Sequence, residues 1–513
     1  MTTLAPQHPE RATAPRAIRI HPADTVAVAL QPLAPGEELD IGGARVVVRE
    51  EIPAGHKVAL RDHDRGDQPI KYGFPIGVIE QPVRAGAHVH SQNLRTALAE
   101  HVDYQYEPER TNPERTSHSP LPTPPSFQGY RRSDGRVGTR NELWILNTVG
   151  CVNHAAERIG RTASERFAGQ IDGIYAFGHP YGCSQLGDDL RNTRRVLAGL
   201  MRHPNAGGVL VLGLGCESNQ MDALLQLAGD IDRDRIRFFN TQDVIDELEH
   251  GSDAVTELVS RMVADKRTAC SASDLVLGHK CGGSDGLSGI SANPLVGRIA
   301  DRVAGDGGRV LLTEVPEMFG AEQQLMNRAA NEPVFRDIVK MVNDFKQYFI
   351  AHGEPIYENP SPGNIAGGLT TLEEKSLGAI QKGGRAVVTD VLRYGERVRR
   401  PGLSLVESPG NDGVSSTAMV ASGATILLFT TGRGTPLGFP SPTLKVSSNS
   451  DIAQRKPHWI DFNAGALLDG TATLDQLEDD LFALVLDVAS GRATNNERNG
   501  YREIAIWKAG VTL

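Results

Sequence analysis

A chain of 513 residues, 39% hydrophobic and 23% charged, exceeds one ordinary core and is expected to form two to four domains. Its 53 basic and 63 acidic residues give a net charge of −10 with no basic cluster, which argues against sequence-independent nucleic-acid binding. No stretch approaches the roughly 18 consecutive apolar residues of a membrane span, so no membrane partner is expected.

Residues 1–16 mix proline and charge without an apolar core and read as a disordered tail rather than a secretory signal. Five cysteines without an export signal predict a cytoplasmic protein with free thiols or metal ligands, not disulfides. Over residues 17–105 the short runs "AIRI", "TVAVAL", "ARVVVRE", "HKVALRD" and "IGVIEQPV" alternate with Gly, Pro and Asp, the pattern of a small all-β domain. Residues 106–127, rich in Pro, Ser and Thr, read as a linker.

From residue 128 apolar strand-length runs alternate with amphipathic helix-length stretches: "ELWILNTVG", "GIYAFGH", "GGVLVLGLG", "DLVLGHK" and "GRVLLTEV". This βαβα alternation predicts an α/β region with largely parallel sheets. After a helical stretch near 323–351, a second series follows with "GRAVVTDVL", "ATILLFTTG" and "TLKVSSN". The expected division is therefore 128–350 and 351–513, the last helix closing at Gly491.

Cys151, Cys183, Cys216 and Cys281 each follow an apolar run and sit in a glycine-containing turn. Ligands of open parallel sheets bind outside the carboxyl ends of the strands, so four thiols on one sheet would line one edge. A free cysteine is also an ordinary core residue, and both readings stand; Cys270, before its strand, keeps the packing one. No CxxC pair occurs. The neighbouring loops supply His179, Ser184, Gln185 and Asp188, then Ser284 and Asp285, then Asn359, Asn364 and Arg433. Serine, asparagine and aspartate hydrogen-bond hydroxyls, and an arginine grips a carboxylate, so the set suits a polyhydroxylated acid.

In the β domain His88 and His90 are two apart, hence on one face of a strand, a plausible divalent-metal site or a surface pair. His56 and Lys57, with Lys71 and Tyr72, are candidate acid–base groups.

"GHKVAL", "KYGFPIG", "AHVHSQN", "GRVGTRNELWILNTVGCVN", "YGCSQLGDD", "CGGSDGLSGISANP", "TEVPEMFGAE", "YENPSPGN" and "TTGRGTP", in this order, resemble the altronate/galactarate dehydratase family over nearly everything after residue 17. That family joins a SAF-type β-clip domain to a larger catalytic region. The resemblance implies a hydro-lyase that converts a sugar acid such as D-altronate to 2-dehydro-3-deoxy-D-gluconate in hexuronate catabolism, with Fe2+ or Mn2+. Gln92 stands where the family often carries a further histidine. The small-molecule partner would be a sugar acid, and a homo-oligomer is left open. Another substrate such as galactarate, a non-catalytic sugar-acid-binding protein and an iron–sulfur cluster on the cysteines are the alternatives.

Overall fold

The computed structural model describes residues 15–100, 102–108 and 125–513; most of the expected tail and of the linker lies outside them. The N-terminal module is all β. Its main antiparallel sheet orders the strands Ala17–Ile18 (β1), Val26–Ala29 (β2), Lys57–Ala59 (β3) and His88–Val89 (β4) as β1-β2-β3-β4. A hairpin beside it, Glu38–Ile41 with Ala44–Val47, alternates exposed and buried residues along its first strand, as one solvated face requires.

The next unit is a parallel sheet of Glu142–Asn147 (β5), Gly173–Phe177 (β6), Ala206–Gly213 (β7) and Ile236–Asn240 (β8), in the order β6-β5-β7-β8. All six residues of β5 are buried, because helices cover both faces. Asn153–Arg166 and Glu247–Met262 pack on one face through Ile159, Val255 and Leu258. Gly187–Met201 packs on the other, through Val196 and Leu197. Strand Ser126–Arg131 pairs antiparallel with Thr268–Ser271, so the unit's entry and exit lie side by side.

The largest unit carries seven strands: Val276–Cys281 (β9), Arg309–Leu312 (β10), Val388–Leu392 (β11), Gly402–Val406 (β12), Ile426–Thr431 (β13), Thr443–Ser447 (β14) and Phe462–Asn463 (β15). Their order is β11-β12-β10-β9-β13-β14-β15, with every pairing parallel. Helix Ala292–Gly305 and the last long helix, Leu474–Ala489, share one core with the β module; Gly491 follows at φ 114°. Helix Asp412–Ala421 shares the opposite core with the four-stranded unit.

Two expectations need correcting. The α/β region does not divide at residue 350: β9 and β10 are hydrogen-bonded into the sheet that holds β11 to β15, and the break falls between β8 and β9. Nor do the four strand-end cysteines share a sheet. Cys151, Cys183 and Cys216 follow β5, β6 and β7, whereas Cys281 ends β9 in the other sheet.

Among the described residues no helix is long and apolar enough to cross a membrane.

Candidate active site

The chain runs from β9 to β10, on to the edge strand β11 and back to β12 on one side, then crosses to β13, β14 and β15 on the other. The carboxyl end of β9 is thus the switch point of the seven-stranded sheet, where open α/β sheets form their ligand crevice. Cys281 stands there. It ends a pocket of about 630 Å³ whose lining includes Ser284, Glu317, Asn359, Asn364, Lys375 and Arg433. Five of the sequence candidates, Cys281, Ser284, Asn359, Asn364 and Arg433, therefore meet in one cavity.

The pocket wall is a charge network. Cys281 is 2% exposed, and its Sγ lies 2.8 Å from Lys382 Nζ, 3.5 Å from Glu317 Oε2 and 3.8 Å from both carboxylate oxygens of Glu314. Burial, and then the Glu314 carboxylate, push the thiol up to about 12, so it is protonated at neutral pH. Lys280 pairs with Glu314 and, at 2.9 Å, with Asp412. Lys375 Nζ donates to Glu317 Oε1 at 2.8 Å, Asn359 Oδ1 at 2.7 Å and Asn364 Oδ1 at 3.2 Å. The two glutamates diverge. Burial raises Glu314 against the pull of Lys280 and Lys382. At Glu317 burial also acts upward, but Lys375, Lys280 and Lys382 outweigh it and hold the carboxyl at about 2. Glu314 has left-handed backbone, φ 69° and ψ 54°, a conformation that costs a non-glycine residue about 1–3 kcal/mol and clusters at functional sites.

Arg433 lines this pocket and an adjoining one of about 740 Å³. Among the described residues its guanidinium has no hydrogen-bond or ion-pair partner. It is the free cation of the site.

The β module adds a second cluster against the same region. Lys57 pairs with Val89 across β3 and β4, a register that puts His56 opposite His90 and on the face of His88. His56 Nδ1 is 3.0 Å from His88 Nε2, and ligand nitrogens of His56, His88 and His90 all lie within 4.8 Å of one another. Burial lowers all three, His88 to about 3 and His90 to about 4. Three neutral imidazoles facing one point are a donor set that fits a divalent ion. His90 Nδ1 meets Thr370 Oγ1 at 3.0 Å and His56 Nε2 meets Ala366 O at 3.4 Å, contacts that fix the rings from outside. The third imidazole is thus His56, 32 residues before His88 in the chain; Gln92 Nε2 stays 3.5 Å from His88 Nδ1.

One segment separates the two clusters. In residues 361–379, Asn364 and Lys375 face the pocket, while Ala366, Thr370 and Glu374 face the module. The module docks here through glycines: a Cβ on Gly286 would meet Gly55 O at 2.0 Å, and one on Gly368 would meet the same oxygen at 2.2 Å. Only glycine allows backbones this close.

Other candidates have different roles. Lys57 Nζ spends its three donors on Gly368 O, Thr370 Oγ1 and Glu374 Oε2, each at 2.8 Å. Burial lowers it to about 8 although Glu374 opposes the change. Lys71 donates to Glu374 Oε1 at 2.7 Å and lies over the Tyr72 ring at 4.9 Å. Tyr72 is raised by burial and presses its hydroxyl on Gly289. Lys57 and Lys71 thus converge on Glu374, with Tyr72 beside Lys71. Asp285 is also engaged: its carboxylate accepts from Ser288 N at 2.8 Å and from Ser448 Oγ and Asn449 Nδ2 at 3.0 Å, which closes the loop. His179, Ser184, Gln185 and Asp188 belong to the four-stranded unit. His179 Nε2 meets Asn147 O at 2.8 Å and its Nδ1 accepts from Tyr181 N at 3.1 Å, so both nitrogens brace the loop. Gln185 Oε1 accepts from Gly182 N at 3.0 Å, and Asp188 pairs on the surface with Arg191.

Sequence reasoning passed over Glu314, Glu317, Lys375, Lys382 and Glu374. "TEVPEMFGAE" did carry a signal, two glutamates three apart directly after a strand.

Three family descriptions match the chain in succession: the altronate/galactarate dehydratase SAF domain over residues 15–97, the second domain of D-galactarate dehydratase/altronate hydrolase over 129–263, and the C-terminal domain of D-galactarate/altronate dehydratase over 272–512. Altronate dehydratase of Escherichia coli K12 is 52% identical, over 97% of this chain and 99% of its own length. That of Bacillus subtilis 168 is 48% identical over the same shares, 97% and 99%. Galactarate dehydratase (L-threo-forming) of E. coli K12 is 34% identical over 93% of each.

Proposed function

The chain belongs to the altronate/galactarate dehydratase family, and from that premise we propose that it is a hydro-lyase converting D-altronate to 2-dehydro-3-deoxy-D-gluconate and water. One observation carries the choice of substrate: the near-full-length identity to two altronate dehydratases is well above that to the galactarate enzyme.

The pocket at Cys281 suits such a molecule. Arg433, without a side-chain partner among the described residues, takes the substrate carboxylate, and Ser284 faces the hydroxylated chain. Neutralising the carboxylate acidifies the adjacent C2–H. Glu317, ionised at neutral pH, accepts that proton, and the Lys375 ammonium 2.8 Å from it stabilises the negative charge that develops. Asn359 and Asn364 keep Lys375 in place. Burial raises Glu314 while its surroundings hold Glu317 low, a divergence that suits a division of labour between the two carboxyls. The protonated Cys281 thiol lies between Glu314 and the pocket and passes a proton to the leaving C3 hydroxyl. The C2–H and C3–O bonds break, water leaves, and the enol tautomerises to the 2-keto acid.

His56, His88 and His90 would hold a divalent ion such as Fe2+ or Mn2+. When bound, such an ion would supply Lewis-acid chemistry.

The test is keto-acid formation from D-altronate by the wild type and by Glu317→Gln. Loss of the base lowers kcat by about 10²–10⁴-fold, with KM changed little. A Glu317→Gln enzyme of normal kcat rejects this assignment.

A further inference from the structure

The thiols of Cys151, Cys183 and Cys216 take no part in the pocket at Cys281. All three are exposed, whereas Cys270 and Cys281 are buried. A free thiol without a role is ordinarily among the most buried side chains, so three on one exposed rim call for an explanation.

Their place in the fold is a ligand position. From β5 the chain passes to β6 on one side and then crosses to β7 and β8 on the other, so the carboxyl end of β5 is the switch point of the four-stranded sheet. Cys151 follows β5 there, and Cys183 and Cys216 follow the two strands that flank it. Register aligns them: Asn147 pairs with Leu212, and Cys151 and Cys216 each come four residues later.

The three loops are also bonded to one another beside each cysteine. Gly150 N donates to Tyr181 O at 2.8 Å, Asn219 N to Gly182 O at 2.9 Å, and Asn219 Nδ2 to Thr148 O at 3.0 Å. Each cysteine follows a glycine, directly at 150, 182 and 215. At Gly182 the requirement is steric, since φ is 101° and a Cβ would meet Thr148 O at 2.1 Å. The loops have been drawn together.

The spread of the sulfurs decides what they hold. Thiolates about 2.3 Å from one zinc stand about 3.8 Å apart. The groups of three ligand atoms within 4.8 Å, among the described residues, are the histidine cluster and Cys281 with Glu314 and Glu317, not this trio. Three thiolates farther apart than one ion would draw them could instead share a cluster of several irons bridged by sulfide. Side-chain donors to sulfur, which tune such clusters, stand at Ser184, 3.6 Å from Cys183 Sγ, and Gln242, 3.7 Å from Cys216 Sγ.

We propose that Cys151, Cys183 and Cys216 bind an iron–sulfur cluster at the switch point of the four-stranded sheet, with three thiolate ligands and one iron corner open to an oxygen ligand. This site is separate from the histidine cluster and does not depend on the choice of altronate as substrate.

Full-length protein purified anaerobically and reconstituted with ferrous iron and sulfide is expected to be brown and to carry acid-labile sulfide in about the same amount as cluster iron. Dithionite should bleach its visible absorbance. Cys151→Ser, Cys183→Ser and Cys216→Ser should each lose most of the chromophore and sulfide while keeping the wild-type circular dichroism; Cys270→Ser and Cys281→Ser should retain both. A colourless, sulfide-free wild type, zinc binding without sulfide, or a chromophore indifferent to the three substitutions overturns the proposal. None of these readouts measures dehydration, so the assignment of substrate can fail while this one stands.

Discussion

Replacing Glu374 by glutamine tests how the β module is held on the catalytic unit. Glu374, Lys57 and Lys71 have side chains at most 1% exposed, and the two ammonium groups lie 2.8 and 2.7 Å from its two oxygens. The carboxyl is moved from an ordinary 4.5 to about 2: burial acts upward, and Lys57 and Lys71 outweigh it. At about 1.4 kcal/mol per pH unit of displacement, that corresponds to roughly 3 kcal/mol. Breaking a buried pair from one side gives a similar figure, about 3–5 kcal/mol, because the lysines are left without a counter-charge. The expected result is a fall in melting temperature of several degrees, at about 2–4 °C per kcal/mol for a melting unit of ~150–250 residues.

The sign with pH is fixed. An acid with a depressed folded pKa stabilises above its unfolded value and loses that contribution as pH falls through the folded one. The gap between wild type and Glu374→Gln should therefore be full above pH 4.5 and narrow towards pH 2. Adding Lys57→Met to the variant removes one stranded charge and should recover part of the loss. Scanning calorimetry from pH 3 to 8 is the assay. An unchanged transition at pH 7, or a gap that widens on acidification, would refute the reasoning.

Four further outcomes are expected. Lys375→Met should lower kcat/KM for D-altronate by at least about 10²-fold, since the ammonium faces the charge that develops in the transition state; steady-state kinetics decides, and a change under threefold speaks against the role. His88→Ala should weaken divalent-ion binding by calorimetry at least tenfold, in line with loss of one of three imidazoles, and equal affinity would remove the histidines as ligands. In the cluster-free protein, alkylation at pH 7.5 should modify Cys151, Cys183 and Cys216 quickly and spare Cys270 and Cys281 until unfolding, which peptide mass spectrometry resolves; fast labelling of Cys281 would contradict its burial and its pKa of about 12. Gly286→Ala places a Cβ 2.0 Å from Gly55 O, so the module should loosen and hydrogen exchange of the β3 and β4 amides accelerate, against no change if the contact is dispensable.

Much of the architecture could be read from hydrophobic runs, because strands buried on both faces announce themselves as Glu142–Asn147 and Ile426–Thr431 do. Several strands went unread, two of them for reasons visible in the sequence. Ile236–Asn240, "IRFFN", is a sheet edge with a charged residue inside it, and Gly402–Val406, "GLSLV", is short and follows "RVRRP". The domain division was misplaced because β9 and β10 look like a continuation of the preceding series, and only hydrogen bonding assigns them to the later sheet.

The site was legible where a loop carries its chemistry in one short stretch, as at Cys281, Asn359, Asn364 and Arg433. His88 and His90 could be paired by strand alternation, but His56 joins them through the register of β3 on β4, which no local spacing encodes. Lys57 and Lys71 looked reactive because their partner Glu374 lies some 300 residues away in sequence.

The central claim is most directly tested by the ratio of kcat/KM for D-altronate to that for galactarate, measured anaerobically on one preparation with ferrous iron by keto-acid release. The expected result is 2-dehydro-3-deoxy-D-gluconate from altronate and a ratio well above ten. A ratio below one, or no keto acid from altronate, would contradict it.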